Sequence, residues 1–380
     1  MTILFDYQAF EMQRFGGVSK SYAEIISHLK AMGDDARIAI KESDNEHLIQ
    51  TGIVPSIKSL GTTNKRWFGG KKLFRGQRRL LRMGMSMAGY HDDFLSINQD
   101  YCIKQLNKQQ FDIFEPTFFD SYFLPYLKGK PFVLTVHDMI PEIIGVDEPQ
   151  AQQKKLLCPL AAHIHVPSEN TKRDLVDILN IPPEKVTVTP HGAPIPPSTQ
   201  YPSPYPFPYI LYIGARWSYK NFTPFIKECA ITIKQHPDLH VVCTGQSFEM
   251  EDLSLIASLG LSEHVIHQYA TEQEMQALYQ NAVAFIYPSA YEGFGMPILE
   301  AFVCDCPVML NNASCFPEVG GDAAIFFDIN RTGDLAEHIE SFLRSSEQDR
   351  ADLIARGRDR AKLFSWEEST RKLSHVYKTL

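Results

Sequence analysis

Residues 291–300 have the sequence Tyr291-Glu292-Gly293-Phe294-Gly295-Met296-Pro297-Ile298-Leu299-Glu300. This stretch follows the apolar run Ala284–Tyr287, whose length and composition are typical of a buried strand. Gly293 and Gly295 let the backbone pass close to a ligand, and Pro297 suits the first turn of a helix. The order strand, turn and helix directs the positive end of that helix into a cleft, so we expect a binding site there.

Two carboxylates flank this turn. Glu292 precedes it and Glu300 follows one helical turn later, so the two side chains approach different parts of one ligand. Because a carboxylate accepts paired hydrogen bonds from vicinal hydroxyls, we interpret both acids as residues that bind a sugar or a ribose. The alternative is that Glu300 caps the turn and Glu292 faces solvent.

The composition is that of a globular protein with more than one hydrophobic core. A length of 380 residues predicts two domains, and 44% hydrophobic with 22% charged residues is ordinary for such proteins. No apolar run reaches the roughly 18 residues of a membrane span, and the first residues lack the features of a signal peptide. Seven scattered cysteines predict reduced thiols in the cytoplasm, and a net charge of −8 argues against nucleic-acid binding.

Strand-like and helix-like segments alternate in both halves, which predicts α/β domains with parallel sheets. A proline-rich stretch, 194–208, contains seven prolines and predicts a semi-rigid linker between domains 1–193 and 209–363. Each half contains six predicted strands: Thr2–Asp6, Ala36–Ile40, Ile113–Glu115, Phe132–Val136, His163–Pro167 and Val186–Val188, then Tyr209–Ile213, His240–Thr244, Val265–His267, Ala284–Tyr287, Pro307–Leu310 and Ala324–Phe326.

A pair of glycines, Gly16 and Gly17, follows the first predicted strand and opens a helix. Free amides at a helix N-terminus favour a phosphate, and glycine permits the close approach that such binding needs. The third glycine of a dinucleotide-binding fingerprint is absent, so an ordinary tight turn is the alternative.

Two cations follow the first strand of the second half. Gly214 ends the strand, and Arg216 and Lys220 come after it, at the edge of the sheet where ligands bind. The planar guanidinium of arginine and the mobile ammonium of lysine suit a diphosphate, and they could stabilise its charge in place of Mg²⁺. We expect Asn221 to cap the next helix. Two solvated surface cations are the alternative.

A histidine and an aspartate end the apolar strand Phe132–Val136. His137 could donate a hydrogen bond to a substrate hydroxyl or transfer a proton. Neighbouring strand residues point to opposite faces, so we expect no direct pairing with Asp138, which could cap a turn instead.

Motifs for metal binding are missing. The chain has no Asp-x-Asp pair of the kind that holds a nucleotide sugar through Mn²⁺, and no phosphate-binding motif of the Walker A type. Cys158, His163 and His165 lack the companion Cys/His pair that a zinc site requires. We therefore expect neither a metal nor another cofactor.

One segment, Lys65–Arg82, contains eight cations and no acid, with aromatic and aliphatic residues between them. As a helix it would place an apolar stripe beside a basic face, which fits an anionic membrane surface. A solvated loop with a helix packed on its own domain is the alternative.

Together these elements resemble the retaining glycosyltransferases of family four, which have the GT-B architecture of two Rossmann-like domains facing a cleft. The resemblance covers nearly the whole chain, including the segments 168–175 and 316–324. Residues 5–10 and 115–120 look like the branch of the family that builds bacterial surface polysaccharides. The last segment, 364–380, resembles the helix that crosses back to the first domain.

The resemblance implies a role for each candidate residue. Glu300 would hold the ribose, Arg216 and Lys220 the diphosphate, and Glu292 the transferred sugar, and Gly16, Gly17, Gly214 and Gly293 would belong to the donor site. The amides of Phe294 and Gly295 would also bind the sugar, the Gly17 amide would approach the phosphates, and His137 would contact the anomeric centre. Two positions depart from the family pattern, His191-Gly192 in place of Asn-Gly and Gln246 in place of a small residue.

The implied activity is the transfer, with retention of configuration, of a hexose from a nucleoside diphosphate sugar. GDP-mannose is our first choice of donor, and a saccharide or lipid-linked saccharide of a surface polysaccharide or O-antigen is the acceptor. The enzyme would be cytoplasmic or peripheral on the inner face of the membrane. A nucleotide-sugar epimerase of the same fold and a non-catalytic sugar-binding module are the alternatives.

Overall fold

The computed structural model describes residues 1–55, 57–58 and 97–380. The basic segment Lys65–Arg82 lies outside these residues, so membrane contact through it stays a prediction. Elements are numbered below in chain order within the described ranges. Within these ranges, no helix has both the length and the apolarity needed to cross a bilayer.

Six short parallel strands form the sheet of the N-terminal domain. They are ordered β2-β1-β3 and β4-β5-β6, and a bridge between Phe114 and Phe132 links the two halves. Most of their residues are buried, as expected for strands covered by helices on both faces. The strands are β1 Thr2–Phe5, β2 Asp35–Ile38, β3 Ile113–Glu115, β4 Val133–Thr135, β5 His163–Val166 and β6 Val186–Val188.

Helices connect these strands. α2 begins directly at the Gly16-Gly17 pair and buries an apolar face that includes Tyr22, Ile26 and Leu29. The helices are α1 Gln8–Met12, α2 Gly17–Ala31, α3 Glu46–Thr51, α4 Ile97–Lys108, α5 Ile140–Ile144, α6 Glu148–Leu160 and α7 Glu169–Leu179.

The C-terminal domain contains a second parallel sheet, in the order β12-β11-β10-β7-β8-β9. This order reverses between β7 and β10, and open α/β sheets bind ligands beyond the strand ends at such a point. Its strands are β7 Tyr209–Ile213, β8 His240–Thr244, β9 Val265–Gln268, β10 Ala284–Tyr287, β11 Val308–Asn311 and β12 Ile325–Phe327, and its helices are α8 Phe222–Gln235, α9 Met250–Ser258, α10 Glu272–Asn281, α11 Met296–Val303, α12 Phe316–Gly320, α13 Asp334–Arg344 and α14 Glu347–Ala361.

The last helix, α15 (Trp366–Thr379), returns to the N-terminal domain and packs on α2. Its Tyr377 hydroxyl donates to the buried carboxylate of Glu115, and the Ser374 hydroxyl donates to Asp34 Oδ2 over 2.8 Å. The predictions of two Rossmann-like parallel sheets and of a C-terminal crossing helix are therefore confirmed. The proline-rich stretch 194–208 lies between β6 and β7, while the exact domain limits stay predictions.

Candidate active site

The crevice between β7 and β10 brings two predicted site residues into contact. A 3₁₀ turn after β7 ends at Lys220, and its ammonium donates to Glu292 Oε1 in the loop after β10. Both side chains are largely buried, with 15% of Lys220 and 11% of Glu292 exposed. The alternative in which Glu292 faces solvent is therefore wrong.

The two loops are also joined through Asn221. It occupies the N-cap position of α8 with a φ of 53°, but its side chain makes no capping hydrogen bond. The amide Nδ2 donates instead to the carbonyl of Pro288, over 2.9 Å. The predicted cap is wrong because the opposite loop offers this buried acceptor. The bond ties the loop of Lys220 to the loop of Glu292.

Arg216, in the same loop after β7 as Lys220, contacts the loop that follows β8. Its Nε donates to Asp252 Oδ2 at 2.9 Å, and its Nη2 donates to the carbonyls of Gln246 and Ser247 at 2.5 Å each. The guanidinium also stacks over the Phe248 ring, and the side chain is only 5% exposed. The remaining nitrogen, Nη1, is buried with no hydrogen-bond partner, which leaves one donor for an incoming acceptor. Neither Arg216 nor Lys220 is a solvated surface cation.

Glu300 receives a partner that the sequence did not predict. Lys20, on α2 of the other domain, donates to Glu300 Oε1 over 2.8 Å, and the Tyr279 hydroxyl lies 3.3 Å from Oε2. Glu300 thus does not cap the turn that precedes it. The charge of Glu300 raises the pKa of Lys20 against the opposing effect of burial, which keeps the ammonium protonated. The sequence signal for Lys20 was its place one helical turn after Gly16.

The N-termini of α2 and α11 face each other across the cleft. A Cβ added to Gly17 would lie 2.7 Å from Met296 Cε, which places the start of α2 against the side chain of the first residue of α11. No hydrogen bond joins the amides of Phe294 or Gly295 to any other residue within the described ranges. Two positive helix ends and these free donors favour an anion or a hydroxyl-rich ligand between them.

The N-terminal domain holds the loop of Gly293 in place. Ser168 and Thr171, both fully buried, donate to the Gly293 carbonyl at 2.7 and 3.2 Å. The C=O and N–H of one trans peptide point in opposite directions, so these two bonds also fix the direction of the Phe294 amide. A Cβ on Gly293 would lie 1.8 Å from the carbonyl of His137, which explains the glycine.

A second contact between the domains uses Glu318 of α12. Its two carboxylate oxygens accept from the amides of Glu169 and Asn170, at 2.9 and 3.2 Å, at the start of α7. The segments 168–175 and 316–324, which support the family resemblance, therefore meet at this interface. A carboxylate at a helix N-terminus stabilises both the helix and the contact.

His137 lies beneath this loop with one ring nitrogen free. Its Nε2 is buried without a partner, and its ring packs against Tyr22 and His191, at centroid distances of 5.6 and 6.3 Å. Burial lowers the pKa of His137 well below its usual range, so the ring is neutral near pH 7. Asp138 accepts a hydrogen bond from the Ile140 amide at 3.0 Å and caps a turn. This agrees with the expectation that Asp138 does not pair directly with His137.

Potential metal ligands are engaged elsewhere. His163 Nε2 lies 2.9 Å from Thr187 Oγ1, and His165 Nδ1 lies 2.9 Å from Thr189 Oγ1. Burial raises the pKa of the Cys158 thiol to about 12. Within residues 1–55, 57–58 and 97–380, no three or more His, Cys, Asp or Glu side chains group in a way that could hold a metal ion.

Two family models match this chain. The model for Glycosyltransferase Family 4 matches residues 15–195, and the model for glycosyl transferases group 1 matches residues 199–360. A relative, O-antigen chain mannosyltransferase B of Escherichia coli, is 30% identical over 285 residues, which cover 68% of this chain and 73% of the relative. The chain belongs to glycosyltransferase family 4.

A second relative and two solved structures are also similar to this chain. The O-antigen chain mannosyltransferase RfbU of Salmonella typhimurium is 27% identical, over 53% of this chain and 58% of the relative. A glycosyltransferase of Rickettsia africae superposes with a TM-score of 0.70 at 18% identity, covering 100% of this chain and 98% of that one. Anabaena HepE, crystallised with UDP and glucose, gives a TM-score of 0.72 at 15% identity, with both chains covered completely. These superpositions establish the GT-B fold.

The hydrogen bonds from Ser168 and Thr171 to the Gly293 carbonyl predict a selective effect of Ser168→Ala. This change removes the N-cap of α7 and the bond to Gly293. The matched control Ser346→Ala removes only the N-cap of α14, inside one domain. Ser346→Ala should lose about 1 kcal/mol in urea unfolding, and Ser168→Ala should lose more, because it also removes a hydrogen bond to the buried Gly293 carbonyl. Only Ser168→Ala should also impair sugar transfer, and Ser168→Thr should restore it. Equal activity of the two alanine variants would contradict a role of Ser168 in positioning the Gly293 loop.

The histidines beneath the loop predict acid sensitivity. Burial lowers the pKa of His191 to about 3, whereas the unfolded chain binds a proton below about 6.5. The unfolded state therefore binds more protons, and stability falls as the pH drops from 6.5 towards 3, by up to about 1.4 kcal/mol per unit. We expect His191→Asn to show a shallower loss in urea unfolding between pH 6.5 and 4.5. An unchanged slope would argue against a buried neutral ring.

Proposed function

We propose that this chain is a metal-independent, retaining hexosyltransferase. It would move a hexose, with mannose from GDP-mannose as our first choice, to a saccharide or lipid-linked saccharide in surface polysaccharide or O-antigen synthesis. The observation that carries the proposal is the buried Lys220–Glu292 ion pair in the β7/β10 crevice. It lies beside the free amides of Phe294 and Gly295 at the start of α11.

The charged groups of this crevice suit a sugar diphosphate. Glu292 offers acceptors to the hydroxyls of the sugar, and Lys220 and the free Nη1 of Arg216 offer donors to the phosphate oxygens. The donor would exchange partners with the protein, since the phosphates take the cation of the pair and the hydroxyls take its carboxylate. After such an exchange the ammonium is paired with phosphate charge, and the carboxylate still accepts hydrogen bonds from the hydroxyls.

The reaction would proceed on one face of the sugar. The bond between the anomeric carbon and the phosphate oxygen breaks, and the acceptor hydroxyl attacks from the side that the diphosphate leaves. The hydroxyl proton passes to the departing phosphate. Arg216 and Lys220 stabilise the charge that grows on the diphosphate, which is the contribution that a divalent cation makes in metal-dependent transferases. The close contacts of Gly293 with Ser168 and His137 exclude water from the reacting centre.

His137 would assist from the opposite domain. A neutral imidazole with an unpartnered Nε2 can exchange one hydrogen bond with a sugar hydroxyl. Because the ring carries no charge near pH 7, it would orient the sugar without repelling a positively charged transition state. It would contribute geometry to the transfer rather than a proton.

Relatives support the choice of donor. The Escherichia coli and Salmonella typhimurium proteins are both named as O-antigen chain mannosyltransferases. HepE was solved with UDP-glucose, which supports the general class of nucleotide sugars. Thermal-shift measurements with GDP and with UDP would identify the base, and we expect stabilisation by GDP.

The role of Lys220 predicts the loss of transfer on Lys220→Ala. Removal of one positioned donor typically costs a factor of about 100 to 1,000 in turnover. The exposed Lys227 of α8 provides the control, because Lys227→Ala removes the same charge outside the crevice. Radiolabel transfer from GDP-mannose to lipid-linked saccharides, with and without EDTA, measures both variants.

We expect both variants to be folded at the assay temperature, with a lower unfolding temperature for Lys220→Ala alone, because that change leaves Glu292 without its partner. We also expect activity in EDTA and an α-linked product in the anomeric ¹H NMR signal. Near-normal turnover of Lys220→Ala, or a β-linked product, would contradict the mechanism. Release of free sugar or an epimer from donor alone would identify an epimerase instead.

A further inference from the structure

Lys20 stands apart from the residues to which the proposed function gives a role. It belongs to the N-terminal domain, yet its ammonium donates to Glu300 of the C-terminal domain over 2.8 Å. Both side chains are partly accessible, with 26% of Lys20 and 28% of Glu300 exposed. The pair therefore lies at the edge of the cleft, where a ligand can reach it.

The position of Lys20 on α2 directs its side chain towards the helix N-terminus. The Lys20 amide donates to the Gly16 carbonyl over 3.0 Å, so Lys20 lies one turn into the helix. Side chains on a helix lean towards its N-terminal end, and a lysine has a long flexible stem. Its ammonium can consequently reach the space in front of Gly17 and Met296, where the two helix ends meet.

Ribose hydroxyls bound to Glu300 would compete with its present hydrogen-bond donors. Oε1 accepts from Lys20, and the Tyr279 hydroxyl lies 3.3 Å from Oε2. Two vicinal hydroxyls would each donate to one oxygen of the carboxylate, so one of them would compete with Lys20 for Oε1. The carboxylates of Glu24 and Glu272 also act on the Lys20 ammonium, but neither is hydrogen-bonded to it in the described parts of the chain, so a released ammonium can turn to the phosphates.

We propose that Lys20 is a further donor-binding residue. When the ribose hydroxyls bind Glu300, the Lys20 ammonium moves from Glu300 to the diphosphate. The inference rests on the proposed nucleoside diphosphate donor. The N-terminal domain then contributes a cation to the phosphates, opposite Arg216 and Lys220. Donor binding and domain closure are coupled, because this cation reaches the phosphates only in the closed arrangement.

A fixed ion pair that merely holds the domains together makes a different prediction. In that case, loss of Lys20 weakens a nucleoside and its diphosphate equally, through the shared cost of closure. In the exchange that we propose, the effects separate. The diphosphate loses a cation, while the nucleoside loses only a competitor for Glu300.

Isothermal titration of full-length protein distinguishes these cases. GDP and guanosine, and UDP and uridine, are titrated into the wild type, Lys20→Met, Lys20→Arg and the control Lys104→Met, which removes an exposed cation from α4. For the base that the wild type binds, we expect Lys20→Met to bind the diphosphate about tenfold more weakly, as for one lost charge-assisted hydrogen bond. Nucleoside affinity should stay equal or increase, and Lys20→Arg should keep most of the diphosphate affinity.

Parallel losses for nucleoside and diphosphate, or an unchanged diphosphate affinity in Lys20→Met, would overturn the role of Lys20. Thermal unfolding of each variant verifies that it is folded before titration. Failure of the wild type to bind either diphosphate would instead contradict the proposed function. The two failures are therefore distinguishable.

Discussion

The ion pair between Lys220 and Glu292 satisfies a charge requirement on which the whole cleft depends. Two parallel sheet strands, β7 and β10, deliver these groups to one crevice, where neither is well solvated. A buried charge without a partner costs several kcal/mol, so each group needs the other until a ligand replaces it. Arg216 with Asp252 and Lys20 with Glu300 repeat the arrangement. The site thus contains the cations and carboxylates that a sugar diphosphate needs, each paired with an opposite charge.

Contacts between the two domains hold the loop of Glu292 and Gly293 in position. Gly293 lies against the carbonyl of His137, and the hydroxyls of Ser168 and Thr171 hold its own carbonyl. The crossing helix α15 fastens the second domain to the first through Tyr377 and the buried Glu115. Since the free amides follow Gly293 directly, the same contacts that close the cleft also direct the donors of the site.

Much of this could be predicted from the sequence, because the strands are buried on both faces and appear as short apolar runs. The turn at residues 293–297 likewise carries its own glycine and proline signals. Partners distant in sequence could not be predicted in this way. Lys20 and Glu300 are 280 residues apart. The Asn221 side chain donates to the carbonyl of Pro288, 67 residues away, instead of capping α8. Periodicity specifies which face of an element is buried, but not which element lies opposite.

We propose that donor binding exchanges the partners of these ion pairs, so that the cations bind phosphate and the carboxylates bind hydroxyls. A crystal structure of the enzyme with an intact sugar nucleotide, GDP-mannose or the donor that its base preference selects, tests it most directly. We expect the Lys220 ammonium on a phosphate oxygen, with the Glu292 carboxylate accepting hydrogen bonds from the hydroxyls of the sugar. A bound donor beside an intact Lys220–Glu292 pair would contradict it.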